Sequence, residues 1–160
     1  MEHIVVNSEG HIRLIDYGLA RTLDNNAEVC ETICGTPGYV APEVNQLEAT
    51  LVNDGYRYSV DFWSLGIVFA QLLRNERLTE MYNYTENLPE LLLKNCKTTA
   101  EARSLLSALL EIDKHKRIGS PLSPHGDIRE HPFFQGDNKL NWSEVDEGIH
   151  KSANKQIIVR

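Results

Sequence analysis

Residues 59–74, Ser-Val-Asp-Phe-Trp-Ser-Leu-Gly-Ile-Val-Phe-Ala-Gln-Leu-Leu-Arg, constrain this chain more than any other stretch. Phe62, Trp63, Leu65, Ile67, Val68, Phe69, Leu72 and Leu73 cover nearly every side of a helix. A helix that is apolar all round has to be buried all round. The segment therefore reads as the central strut of the fold, with Ser59 as its N-cap. The rest of the chain must supply the layers that cover it.

The chain has 160 residues, one domain's worth and enough to bury one core. Ala102, Leu105, Leu106, Leu109 and Leu110 recur at helical spacing, predicting a helix over 99–111 capped by Thr98 or Thr99. A shorter helix is expected over 88–95, with its Leu91-Leu92-Leu93 run, and a last one over 126–134, ended near Pro132. At the other end, Ile4-Val5-Val6, the turn residues 7–10 and the partly alternating 11–15 have the signature of a β-hairpin. Residues 20–41 have no sustained period and read as a long functional loop. The expected fold is mainly α with one small hairpin. A polar stretch follows from 135, with Trp142 and Ile157-Ile158-Val159 as its large apolar features.

Charge and cysteine usage narrow the function classes. The net charge is -7, from 16 basic and 23 acidic side chains, and there is no basic tract. Nucleic acid and anionic membranes are poor partners for such a chain. Cys30, Cys34 and Cys96 match no zinc or redox spacing, so a reduced cytoplasmic or nuclear setting is expected. The run from Leu65 to Leu73 is too short to span a bilayer, and no basic-then-apolar leader opens the chain.

Two motifs carry chemistry. Asp16-Tyr17-Gly18 follows the second strand directly. A carboxylate delivered there suits a hard cation such as Mg²⁺, and an ordinary Asx-turn explains the same three residues. The second motif, Gly35-Thr36-Pro37-Gly38-Tyr39-Val40-Ala41-Pro42-Glu43, is long and specific. With it the chain resembles the C-terminal lobe of the protein kinase superfamily. Asp16-Tyr17-Gly18 resembles its Asp-Phe-Gly element, and Ala41-Pro42-Glu43 its Ala-Pro-Glu element. Asp61-Phe62-Trp63-Ser64-Leu65-Gly66, residues 109–118 and residues 127–134 resemble its later segments. Thr32-Ile33-Cys34-Gly35-Thr36-Pro37 points to the AGC group of serine/threonine kinases.

The resemblance implies an α+β family fold seen as its large lobe, phosphoryl transfer from ATP with Mg²⁺, and a protein substrate or partner kinase. It implies a partial kinase domain over 1–145 and a polar tail over 146–160. Asp16 corresponds to the Mg²⁺ carboxylate and Thr36 to the residue facing a serine or threonine acceptor. Thr32 corresponds to the activation-loop phosphosite and Arg21 to its basic partner. Val5 and Ile15 correspond to apolar positions under the nucleotide, or else are sheet core. Glu43 and Arg117 correspond to a buried ion pair. Asp61 corresponds to a buried carboxylate that accepts catalytic-loop N–H groups, or is a helix N-terminal charge. Cys34 reads as an ordinary loop residue, with a redox role beside the phosphosite as the other reading, and Trp142 as a packing aromatic.

The chain also departs from the pattern. Only 15 residues precede Asp16, too few for the glycine-rich loop, the strand lysine and the His-Arg-Asp loop. The chain alone is expected to be inactive, with the N-terminal lobe absent, and a non-catalytic protein-binding module is the alternative. His3 stands where the family holds a second Mg²⁺ with Asn. Gln71 replaces the Glu of members that prefer basic peptides. Asn75-Glu76-Arg77 replaces a Gly and Pro-Phe turn.

Overall fold

A computed structural model describes residues 2–24, 28–47, 54–76, 87–136 and 139–147. Met1, Arg77 and the Ile157-Ile158-Val159 run lie outside them. In chain order the elements are β1 (Ile4–Val6), β2 (Ile12–Leu14), α1 (Pro42–Asn45), α2 (Ser59–Arg74), α3 (Leu88–Leu92), α4 (Ala100–Leu109) and α5 (Trp142–Asp146). The fold is mostly helical with one two-stranded antiparallel sheet.

α2 is the central helix. It buries Trp63, Gly66, Ile67, Ala70 and Gln71. α4 packs across it where Gly66 allows close approach: a Cβ there would lie 2.7 Å from Leu110 Cδ2 and 3.0 Å from Leu109 Cβ. Thr99 caps α4 by accepting a hydrogen bond from the Ala102 N–H at 3.2 Å. The core joins Trp63, Ile67 and Ala70 to Leu88, Leu92, Leu106 and Leu110. Leu105, Ala108, Leu109 and Ile118 form a second cluster with Phe62, Phe69 and Phe133.

Two expectations for α2 need correction. Its burial is one-sided: Leu65 is 46% and Leu72 63% exposed. Asp61 is also exposed and Val68 half-buried, so residues 61, 65, 68 and 72 form one open stripe at helical spacing. The apolar period was right about the helix and silent about which neighbours cover it. Ser59 is not the cap. Tyr58 already has helical angles (φ -56°, ψ -15°), which leaves Ser59 one residue inside, without the extended backbone a capping side chain requires.

Residues 126–134 form two 3-10 turns, Ile128–Glu130 and Pro132–Phe134, and not one helix. Pro132 has no N–H and biases His131 to extended angles, so the chain restarts there. Asp127 caps the first turn through the Arg129 N–H at 2.8 Å, and His131 Nδ1 accepts from the Phe133 N–H at 3.2 Å. The polar stretch beyond 135 contains a short helix, α5, missed by the sequence reading. Trp142 anchors it, with its ring 5.3 Å from Phe134 and its Nε1 donating to the Arg129 carbonyl at 3.2 Å.

The hairpin forms as expected, pairing Ile4 with Leu14, Val5 with Arg13 and Val6 with Ile12. Asn7 Oδ1 organises its turn by accepting from the N–H groups of Glu9 (3.0 Å) and His11 (2.8 Å).

Candidate functional site

The site is built on the loop from Asp16 to Glu43. Its far end is clasped to the helical body. Arg117 is fully buried and directs two N–H groups at Glu43, Nη1 to Oε1 at 2.6 Å and Nη2 to Oε2 at 2.9 Å. Its other donors reach the carbonyls of Glu111 (2.9 Å), Ser59 (3.1 Å) and Ile112 (3.4 Å). All five guanidinium N–H donors are thereby used, which only arginine can do. The face of the guanidinium lies over Trp63, 5.1 Å from the ring. Glu43 sits at the start of α1, so the pair fixes both the helix and the loop entering it.

The middle of the loop is held by contacts that the sequence does not show. Tyr56 is buried, and its backbone bridges Cys30 in both directions, at 2.8 and 2.9 Å. Its phenol donates to the Thr32 carbonyl at 2.7 Å and touches Cys34 Sγ at 3.7 Å. Burial, and then the bond to Cys34, push that phenol well above the usual tyrosine range. Tyr39 exchanges hydrogen bonds with the buried amide of Gln71, at 2.9 and 3.2 Å, and its carbonyl accepts from Ser64 Oγ at 2.8 Å. Lys114 joins the end of the helical body to Asp54 and to the Gly55 carbonyl, each at 2.7 Å. Neither Tyr56 nor Lys114 belongs to a periodic pattern, and each has a like neighbour in sequence (Tyr58, Lys116), so nothing singled them out.

Thr32 and Thr36 are both exposed. Beside Thr36 lies a groove of about 490 Å³ whose apolar lining includes Ile33, Pro37, Val40, Trp63, Ile67 and Leu88. Arg21 is turned to Glu28 at 2.6 Å, and this bond raises its pKa. Glu28 in turn accepts from the Asp24 N–H at 2.9 Å, which with Arg21 lowers its own pKa. Arg21 therefore pairs with a carboxylate and not with Thr32. Asp61, expected either as a buried carboxylate for catalytic-loop N–H groups or as a helix N-terminal charge, stands exposed in the first turn of α2, and its carboxylate has no hydrogen-bond partner among the described residues. Partial burial alone pushes its pKa up.

At the near end the hairpin delivers Asp16 with a left-handed backbone (φ 64°). One carboxylate oxygen accepts from the Gly18 N–H at 3.2 Å, an Asx-type turn, and the other lies 3.4 Å from His3 Nε2. Val5 and Ile15, read as nucleotide contacts or sheet core, are 37% and 45% exposed, so the hairpin does not bury them. Asp16 suits Mg²⁺, which takes oxygen ligands. His3 offers nitrogen and does not fit a second Mg²⁺. Among the described residues no three His, Cys, Asp or Glu side chains are grouped to hold a metal.

A glycine-proline loop clasped to a helical body at one end, with a hairpin carboxylate at the other, has the form of a kinase large lobe. The chain belongs to the protein kinase domain family, whose model matches residues 1–134. Protein kinase C-like 1 of Caenorhabditis elegans is 32% identical over 157 residues, 91% of this chain and 20% of that protein. The RAC-beta serine/threonine-protein kinase of Homo sapiens is 33% identical over 150 residues, 91% of this chain and 29% of that protein. The Rattus norvegicus RAC-beta kinase is 34% identical over the same length. These relatives agree with the AGC-type motif. The chain spans less than a third of the length of each. No helix among the described residues is long and apolar enough to cross a membrane.

Proposed function

We propose that this chain is the substrate-facing lobe of a protein kinase that moves the terminal phosphoryl group of ATP to serine or threonine hydroxyls in an intracellular protein. The observation that carries this is the Glu43–Arg117 clasp. It fixes the Gly35–Glu43 loop so that Thr36 stands exposed beside an apolar groove. Residues 1–145 form the kinase portion and 146–160 a polar tail. Asp16 would hold Mg²⁺ on the nucleotide phosphates, and Val5 and Ile15 supply apolar surface for the base. Thr32 is the phosphorylation site of the loop, and Arg21 must leave Glu28 to meet its phosphate. The groove suits a peptide with an apolar side chain next to the acceptor hydroxyl.

Phosphoryl transfer depends on positioning and on charge stabilisation by several groups acting together. This chain by itself carries the acceptor-side groups and one cation carboxylate. Alone it should transfer no phosphate and bind Mg-ATP no tighter than about millimolar. Calorimetry with Mg-ATP tests the second point, and micromolar binding would overturn it. For the acceptor side, methyl NMR of Ile33 and Val40 should shift with a peptide reading Ser-Ile. The same peptide reading Ser-Asp should leave them still. Equal response to both, or to neither, would remove the groove from the account.

A further inference from the structure

Residues 110–127 belong to no helix or strand, and they carry two Ser-Pro pairs, Ser120-Pro121 and Ser123-Pro124. The two hydroxyls are in opposite states. Ser123 Oγ donates to the Lys116 carbonyl at 3.1 Å and accepts from the His125 N–H at 3.2 Å. Ser120 is half-buried, and its hydroxyl has no hydrogen bond among the described residues. Its backbone is nevertheless fixed. The Ser120 N–H donates to the Arg117 carbonyl, and its carbonyl accepts from the Ser123 N–H, each at 3.0 Å.

Ser120 lines a cavity of about 370 Å³ together with Arg57, Lys114 and His115. This cavity shares no lining residue with the groove beside Thr36. Lys114 donates to Asp54 and to the Gly55 carbonyl, which occupies two of the three N–H groups of an ammonium. Arg57 is anchored by the Glu28 carbonyl. Two cations and an imidazole thus face one carboxylate, Asp54, and that carboxylate is 63% exposed. An excess of positive charge beside an unbonded hydroxyl suits a phosphoryl group, which brings about -1.5 to -2 charges and three acceptor oxygens.

We propose that Ser120 is a phosphorylation site for a proline-directed protein kinase, and that Lys114, Arg57 and His115 receive its phosphate. Pro121 is exposed and has no N–H, so a kinase cleft with no acceptor at that place takes it without loss. The Ser120 oxygen attacks the terminal phosphorus of ATP, the bond to the leaving ADP oxygen breaks, and the hydroxyl proton passes to the base of the modifying kinase. The phosphate then ties the loop after Arg117 to the segment around Arg57, next to the Tyr56 that holds the Thr32 carbonyl. Ser123 is the internal comparison: it must first give up two hydrogen bonds. The inference goes beyond the kinase reading and uses neither Asp16 nor Thr36.

The test treats the full chain, and separately a peptide of residues 114–128, with a proline-directed kinase and Mg-ATP, and maps phosphate by mass spectrometry. The ratio of Ser120 to Ser123 modification should be about tenfold higher in the folded chain, where only Ser123 is held back by its hydrogen bonds. Phosphorus NMR of the chain phosphorylated at Ser120 reads the receiver. The phosphate should lose its last proton about one pH unit lower in the chain than in the same phosphopeptide. Lys114→Met should remove most of that shift, and Lys116→Met, at a 66% exposed lysine outside the cavity, should leave it. The comparison of chain with peptide needs no variant, so it stands even where Lys114→Met does not fold. Equal ratios in chain and peptide, an unmoved ionisation, or equal effects of the two lysine variants would overturn the proposal.

Discussion

The Tyr56 phenol donates a 2.7 Å hydrogen bond to the carbonyl of Thr32, across 24 residues of chain. The backbone of the loop is thus held at Thr32 while the threonine side chain stays exposed. Tyr56→Phe deletes that one donor. The expected loss is about 0.5–1.5 kcal/mol, the net worth of a typical hydrogen bond. Hydrogen exchange should quicken over residues 30–36, while α4 keeps its protection. Unchanged exchange in 30–36 would mean that the Cys30 bridge alone holds the loop.

Arg117→Ala should destabilise the chain more than any other Arg-to-Ala change. It strands Glu43, only 11% exposed, beside the carbonyls left without donors. Breaking a buried pair costs roughly 3–5 kcal/mol, against about 0–1 for exposed pairs such as Arg129–Asp146. Arg117→Lys should recover little, because an ammonium has three donors and no planar fork. Urea melts of these variants, with a double-mutant cycle including Glu43→Ala, check both size and coupling. Zero coupling would refute the clasp.

Much of this was legible in the residues because it is local. Alternation around the Asn7–Gly10 turn gave the hairpin, and Leu spacing gave α4 with its Thr99 cap. The pairing of Glu43 with Arg117 was legible only through motif resemblance, since 74 residues separate them and no period links them. Arg21 shows the limit: its cationic chemistry was visible, but the choice of Glu28 depends on loop geometry. The one-sided burial of α2 could not be read either. An apolar stripe records what a helix is able to bury, not what lies against it.

His131 is buried and neutral by preference, since burial and then the nearby His125 hold its pKa below the ordinary value. Nδ1 accepts from the Phe133 N–H, so Nε2 carries the proton toward Ser104 Oγ at 3.2 Å. A histidine whose folded pKa is depressed takes up its proton first in the unfolded chain. Stability should be full above about pH 6.5 and fall as pH drops from there toward the folded value. His131→Asn keeps an acceptor for Phe133 and removes the titration. Its Tm should vary less than wild type between pH 7 and 5, and parallel profiles would exclude His131 as the source.

For Asp61 the sign is opposite. Its folded pKa is raised by burial, so the charged form is disfavoured in the fold at all pH above that value. Asp61→Asn should raise Tm slightly at pH 7. The gap should close as pH falls from the raised folded value toward about 3.9, and stay closed below it, where the unfolded aspartate also binds its proton. A lower Tm for the variant at pH 7 would mean that the charge is favoured at the start of α2.

Every residue of β1 and β2 except Ile4 is exposed, so the ribbon is sustained chiefly by its own ladder. A two-stranded ribbon of this kind is marginal in water. His3 comes one residue before β1 and Asp16 two residues after β2, so both stand at its open end. A cation held by Asp16 at that end is bound by a ribbon it also helps to keep closed, so part of its binding free energy becomes free energy of zipping the strands. Strand order and cation occupancy in this chain should therefore rise and fall as a single equilibrium.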